Sequence, residues 1–168
     1  ISPAQLFSTK VTTPLPRTEG RISGIGLDAG NEATTAILVI DNGTGRVSRL
    51  GNIERRPEQV TSSTLTVNLF DVFPRSPTVA AARRFELVPV YAGSGATRAV
   101  LIIDAGSGGL ALLDNVLKPD RVRLQRLRPD IYSTLPKDVG RPRVIAAVAK
   151  VRASGATPVL ALAPVDRA

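Results

Sequence analysis

The chain has no cysteine, histidine, methionine or tryptophan among its 168 residues. Without cysteine there are no disulfides and no thiolate nucleophile. Without cysteine and histidine the usual zinc ligand sets are missing. Without histidine, no mechanism can use imidazole as its base, so a Ser–His–Asp triad is excluded. A chain free of oxidisable side chains suits a long-lived or heat-exposed particle, or a GC-rich genome. Aromatics make up only 4% of residues. Long apolar runs are also missing: stretches such as residues 36–40 and 99–103 fall far below the ~20 residues that a membrane-spanning helix needs. No signal-peptide pattern is visible. These features predict a soluble chain.

What is present is ordinary globular composition, 43% hydrophobic and 21% charged, with enough length for one core. The net charge of +8 is unevenly spread. Residues 1–60 carry seven basic and six acidic side chains, and 61–114 carry four of each. Residues 115–168 carry eleven basic and four acidic. Such asymmetry points to an acidic partner for the last third.

Residues 1–20 hold Pro3, Pro14 and Pro16 and little periodicity, which predicts an extended arm. Its apolar points are Leu6, Phe7, Val11 and Leu15, which are expected to lie on a neighbouring subunit. Residues 21–114 read as a β-rich body of short strands with regular turns, arranged as a sandwich or barrel. Strands are expected at 21–28, 33–41, 46–53, 85–91 and 97–104. The 85–91 strand contains Pro89, which places it at a sheet edge. Asp41-Asn42-Gly43-Thr44-Gly45 is a strong hairpin signal, because Asn and Gly tolerate positive φ. In 64–74 (TLTVNLFDVFP), Leu65, Val67 and Leu69 alternate with Thr64, Thr66 and Asn68, as in a half-buried strand.

The basic third, 115–168, begins with RVRLQRL at 121–127, which alternates like a strand with a cationic face. Residues 143–154 predict a helix: Val144, Val148 and Val151 are spaced i, i+4, i+7, Pro142 suits a first turn, and Gly155 a stop. A final strand is expected at 157–163. The overall expectation is therefore a mainly β fold with a small α/β C-terminal part. DAGN at 28–31 and DAGS at 104–107 are alike, but they establish no internal repeat.

Residues 26–41 (GLDAGNEATTAILVID) resemble the first phosphate-binding hairpin of the actin, sugar-kinase and Hsp70 superfamily. The resemblance would assign nucleotide and Mg²⁺ roles to Asp28, Gly30, Asn31 and Thr34, and make the chain a nucleotide-binding protein. Gly would let the backbone approach a phosphate that successive N–H groups cradle. Against this, the chain is too short for that family's two domains. Asp28, Asp41, Asp71, Asp104 and Asp114 sit near predicted strand ends. There carboxylates could bind a metal or do acid/base work, but more often they cap turns. The glycine-rich segments 92–98 and 104–109 fit neither phosphate-loop pattern. No cofactor and no metal are expected. The basic residues between 118 and 152 would suit nucleic-acid phosphates, but Tyr132 is the only aromatic available there for base stacking.

Val67-Asn68-Leu69-Phe70-Asp71, followed by Pro74, Pro77 and Thr78, resembles a segment of small structural proteins of tailed bacteriophages. The likeness extends over roughly residues 33–90 and includes the upstream Ile40-Asp41. It implies a non-enzymatic capsid decoration subunit in the virion. Its expected partners are the major capsid protein or other virion subunits, and it would be an oligomer, with a trimer favoured. On that reading Arg121, Arg123, Arg126 and Arg128 face the acidic partner, alongside the arm contacts through Leu6, Phe7, Val11 and Leu15. A cytoplasmic location is the alternative, and no membrane association is expected.

Overall fold

The computed structural model describes residues 22–30, 33–74, 85–128 and 130–133, together with the backbone strands 145–150 and 159–164. The arm residues Leu6, Phe7, Val11 and Leu15, and Asn31 of the glycine-rich hairpin, lie outside the described residues.

The described residues form ten strands: β1 (Ile22–Asp28), β2 (Thr34–Asp41), β3 (Arg46–Gly51), β4 (Thr61–Asn68), β5 (Phe85–Tyr91), β6 (Thr97–Asp104), β7 (Leu110–Asp114), β8 (Arg123–Leu127), β9 (Ile145–Lys150) and β10 (Val159–Pro164). They form two open four-stranded antiparallel meanders, β1-β2-β3-β4 and β5-β6-β7-β8, and one hairpin, β9-β10. The described residues contain no α-helix, only three short 3-10 turns at Pro57–Gln59, Leu69–Asp71 and Pro119–Arg121. None of it could cross a membrane as a helix. The fold is mainly β, and neither sheet closes on itself.

Where a helix is expected at 143–154, the described residues Ile145–Lys150 form a strand, β9. Valines at i, i+4 and i+7 satisfy a helix, but β-branched residues lose rotamer freedom there and fit a pleated surface better. A ready partner settles the contest, with Val159↔Lys150 and Pro164↔Ile145 in register. β5 is an edge strand as Pro89 requires, since it pairs only with β6. The alternating stretch 64–74 ends early: β4 stops at Asn68, whose side chain accepts from the Phe70 N–H at 2.8 Å and turns the chain. Leu110–Asp114 is a strand that the sequence reading did not single out. Through it the second sheet runs across the 114/115 boundary into β8.

The two sheets are copies of one another. The pairing Ile22↔Asp41 in the first becomes Phe85↔Asp104 in the second, each partner 63 residues later. Ala36↔Gly51 becomes Ala99↔Asp114 at the same offset. Even the irregularity in the first hairpin recurs, between Leu27 and Asp28 and between Val90 and Tyr91. The matching turns are Asp-Asn-Gly-Thr-Gly at 41–45 and Asp-Ala-Gly-Ser-Gly at 104–108. Asn52 and Asn115 adopt the same left-handed conformation, with φ of 59° and 58°. Each precedes a 3-10 turn opened by a proline, Pro57 or Pro119. The hairpin β9-β10 starts a third copy, since Phe85↔Asp104 becomes Ile145↔Pro164, 60 residues on, and SGAT occurs at both 94–97 and 154–157. The absence of a repeat in the sequence reading is thereby corrected. DAGN and DAGS, which drew attention there, belong to different turns of the unit.

Each unit closes its second turn on its own last corner. The Leu69 N–H donates to the Gly45 carbonyl at 2.9 Å, and the Ile131 N–H to the Gly108 carbonyl at 2.8 Å. An aromatic ring lies over each glycine: Phe70 over Gly45, Tyr132 over Gly108. Both glycines have positive φ, 71° and 73°, and a Cβ on either would run into that ring. Gly45→Ala and Gly108→Ala are therefore each expected to cost about 2 kcal/mol, from left-handed strain of about 1–2 kcal/mol plus displacement of the ring. Urea unfolding of the two variants checks this. Asn115→Gly should be close to neutral, because glycine accepts the same φ.

Candidate functional site

Consecutive units pack face to face. The trailing face of the first, with Leu27, Ala36, Leu38, Ile40, Val47 and Leu65, meets the leading face of the second, with Phe85, Leu87, Val100, Ile102, Ala111 and Leu113, in one buried cluster. Phe73 fills the junction against Phe85, their ring centroids 5.5 Å apart. Along one edge β1 runs beside β5, and β5 beside β9. Polar ties flank this edge. The Ser23 hydroxyl donates to the Phe85 carbonyl at 2.7 Å, and the Asp28 N–H donates to Thr97 Oγ1 at 2.9 Å. The first strands thus form one seam of the array, and the loops at the strand ends form its rims.

The structure gives the acidic residues to the fold. Asp41 Oδ1 accepts from the Gly43 and Thr44 N–H groups at 2.9 and 3.3 Å, and Oδ2 from the Thr44 hydroxyl at 2.7 Å. Asp104 repeats this with the Gly106 N–H at 3.1 Å and the Ser107 hydroxyl at 2.8 Å. Both carboxylates are buried, and each holds the tight turn that follows it. Asp28 accepts from the Thr34 hydroxyl at 3.0 Å, and Asp114 lies 3.8 Å from the Arg98 guanidinium. Asp71 is exposed, in the 3-10 turn after β4. Asp28 and Asp104 do not converge. Asp28 is tied to Thr97 at the start of β6, and Asp104 ends that strand, about 23 Å away at about 3.3 Å per residue. Among the described residues no group of acidic side chains could hold a metal ion.

The phosphate-hairpin resemblance rests on the turn after Asp28. Gly30 has φ of 101°, and a Cβ there would lie 3.1 Å from the Ser94 carbonyl and 3.3 Å from the Ala96 Cβ. Its close approach is therefore to the next unit's first turn. Tyr91, the repeat counterpart of Asp28, sits in the same region. Partial burial and then the Asp28 charge raise its phenol above the ordinary tyrosine range. A raised pKa means that the fold favours the neutral phenol, so stability is retained below about pH 10 and falls as pH rises past it.

Two clefts remain. One, about 420 Å³, lies at the seam and is lined by Ile22, Ser23, Gly24, Asn42, Phe85, Glu86 and Leu87. Ser23 and Asn42, joined at 3.1 Å, have Glu86 and Ala105 as repeat counterparts, so this polar pair belongs to the first junction alone. The other, about 490 Å³, lies in the β7–β8 connection, lined by Asn115, Lys118, Asp120, Arg121, Val122 and Arg123. Its frame repeats in the β3–β4 connection, where Asn52, Pro57 and Val60 stand for Asn115, Pro119 and Val122. The residues between differ: Glu54, Arg55 and Arg56 in one, Leu117 and Lys118 in the other. A repeated frame carrying variable exposed side chains is how repeat proteins present a binding rim.

The four arginines expected to share a face are distributed. β8 pairs with β7 without a break from Leu110↔Leu127 to Asp114↔Arg123. Strand alternation then sends Arg123 and Arg126 to opposite faces. Arg126 donates to the Val72 carbonyl of the first unit at 2.8 Å and so ties the units together. Arg121 and Arg123 are exposed at the rim cleft. Arg121 lies 3.7 Å from Asp120, both well exposed, a pairing of little energetic weight. Arg128 is exposed just past the strand. Lys118, not among the residues singled out for partner contact, joins Arg121 and Arg123. No protein-family model, curated protein or solved structure is similar to the chain.

Thr97 is fully buried at the junction. Thr97→Val should leave the Asp28 N–H unpaired and cost about 1–2 kcal/mol, measurable by denaturant unfolding. Asp28→Asn, which keeps the backbone donor, should cost less. Tyr91→Phe should flatten the fall in melting temperature above about pH 10.

Proposed function

We propose that the chain is a non-enzymatic binding scaffold of tandem four-stranded units. In this reading it engages an acidic protein partner through the basic rim of its second unit, at Lys118, Arg121 and Arg123. The observation that carries it is the division of labour within the repeat. Positions common to both units (Asp41 and Asp104, Gly45 and Gly108, Asn52 and Asn115) are occupied by turn geometry. The exposed rim between them varies and is cationic in the second unit. Three cations around one carboxylate, in a cleft open to solvent, favour an anionic surface. With few aromatics nearby, stacking of nucleic-acid bases has little to build on.

A virion subunit is the narrower form of this proposal. Its support is the likeness around Val67–Asp71. Those residues form the β4 corner, and the second unit builds its own corner at Asp130, Ile131 and Tyr132. The likeness therefore speaks first for the architecture, and a capsid is one setting in which such a scaffold would work.

The test is titration of the full chain with poly-L-glutamate and, separately, with a single-stranded oligonucleotide, at low and moderate salt. Binding of polyglutamate, weakened at least tenfold by K118E/R121E/R123E with an unchanged melting temperature, is the expected result. Preference for the oligonucleotide with a steep salt slope would transfer the rim to nucleic acid. Equal binding by wild type and variant would remove the rim from the function.

A further inference from the structure

The fourth strand of each unit is the outer edge of its sheet: β4 pairs with β3 and β8 with β7, and among the described residues no further strand takes up either edge. In an antiparallel ladder alternate residues turn their N–H and C=O groups toward the partner, so the residues between them present theirs outward. The two edges occupy the same place in the repeat, since Gly51↔Thr61 becomes Asp114↔Arg123. Their charge is entirely different. Arg121, Arg123, Arg126 and Arg128 stand where the first unit, 62 residues earlier, has Gln59, Thr61, Thr64 and Thr66. Residues 59–66 hold no charged side chain, whereas residues 121–128 hold four cations and no anion. The architecture therefore does not require charge at this edge, because the first unit builds the same strand without it.

Packing accounts for one of the four. Arg126 reaches the first unit and donates to the Val72 carbonyl at 2.8 Å. Arg121 has Asp120 at 3.7 Å, a contact between two well-exposed groups. Asp114, opposite Arg123 in the ladder, lies 3.8 Å from Arg98 on its other side. Arg123 and Arg128 are exposed at the two ends of the strand. Edge charges keep like strands from pairing, so this row repels a second copy of itself. The same row selects a strand of opposite sign.

We infer that the outer edge of β8 takes an extended acidic segment of the partner as an added strand of the second sheet, its carboxylates beside Arg121, Arg123 and Arg128. Main-chain hydrogen bonds hold the segment, and the cations choose it. This rests on the acidic-partner reading and goes beyond it by fixing the partner's conformation: a purely electrostatic contact at the rim needs no backbone pairing.

The experiment is titration of the full chain with a decapeptide of alternating Glu and Val, with the same peptide N-methylated at every residue, and with poly-L-glutamate as reference. N-methylation keeps the charge and removes the backbone donors. The expected result is binding of the plain peptide at least tenfold tighter than its N-methylated form, lost in R123E/R128E with an unchanged melting temperature. Amide exchange should slow at alternate residues of β8 on binding, and not along β4. Equal binding of the two peptides, or binding of polyglutamate alone, overturns strand addition and leaves the acidic rim standing. Slow exchange at every β8 amide in the free chain also overturns it, since the edge would already be paired. No binding of any of the three overturns both readings.

Discussion

The structure depends on one apolar junction: the trailing face of a four-stranded sheet laid on the leading face of the next. A single meander buries only one side of its hydrophobic residues and gains little stability alone. Here Leu38, Ile40 and Leu65 close over Val100, Ile102 and Leu113. At about 1.5–3 kcal/mol for each large side chain fully buried, such a junction outweighs any individual polar contact in the molecule. The hydrogen bonds at its margins, Ser23 to Phe85 and Asp28 to Thr97, set the register of one unit on the next. They add specificity to an attraction that has no direction of its own.

That constraint orders the rest. To bring four strands into one flat partner for the next unit, each meander must make tight second turns, and the buried Asp41 and Asp104 carboxylates hold them. The same turns must accept the chain returning from the fourth strand, which is why glycine stands at 45 and 108 beneath Phe70 and Tyr132. Residues that look like chemistry in a linear reading, aspartates beside glycines, are thereby explained by turn geometry. The exposed connections between third and fourth strands are released from packing duty, and there the two units diverge in charge.

Much of the strand content was legible because alternation and punctuation are local. Phe85–Tyr91 and Thr97–Asp104 have the predicted bounds, and Pro89 announced an edge. The helix expected at 143–154 failed because β-branched residues also fit a pleated surface, and the deciding partner, β10, lies across the hairpin. The repeat is strongest between β2 and β6, where Thr34, Ala36, Leu38, Ile40 and Asp41 recur as Thr97, Ala99, Leu101, Ile103 and Asp104, and it is masked because β1 and β5 share no identical position. DAGN and DAGS drew the eye to the wrong pair of turns.

By itself the sequence determined that this chain is a β protein with no thiol or imidazole chemistry, with hairpin turns at fixed places and a cationic last third. Those are consequences of side-chain type and short-range spacing. Only the tertiary structure decided that the strands form repeating units, that Asp28 and Asp104 lie apart, and that Arg126 fastens two units while Arg121 and Arg123 face solvent. Which face of a strand is covered, and by what, is set by residues some sixty positions away, and no local pattern carries that information.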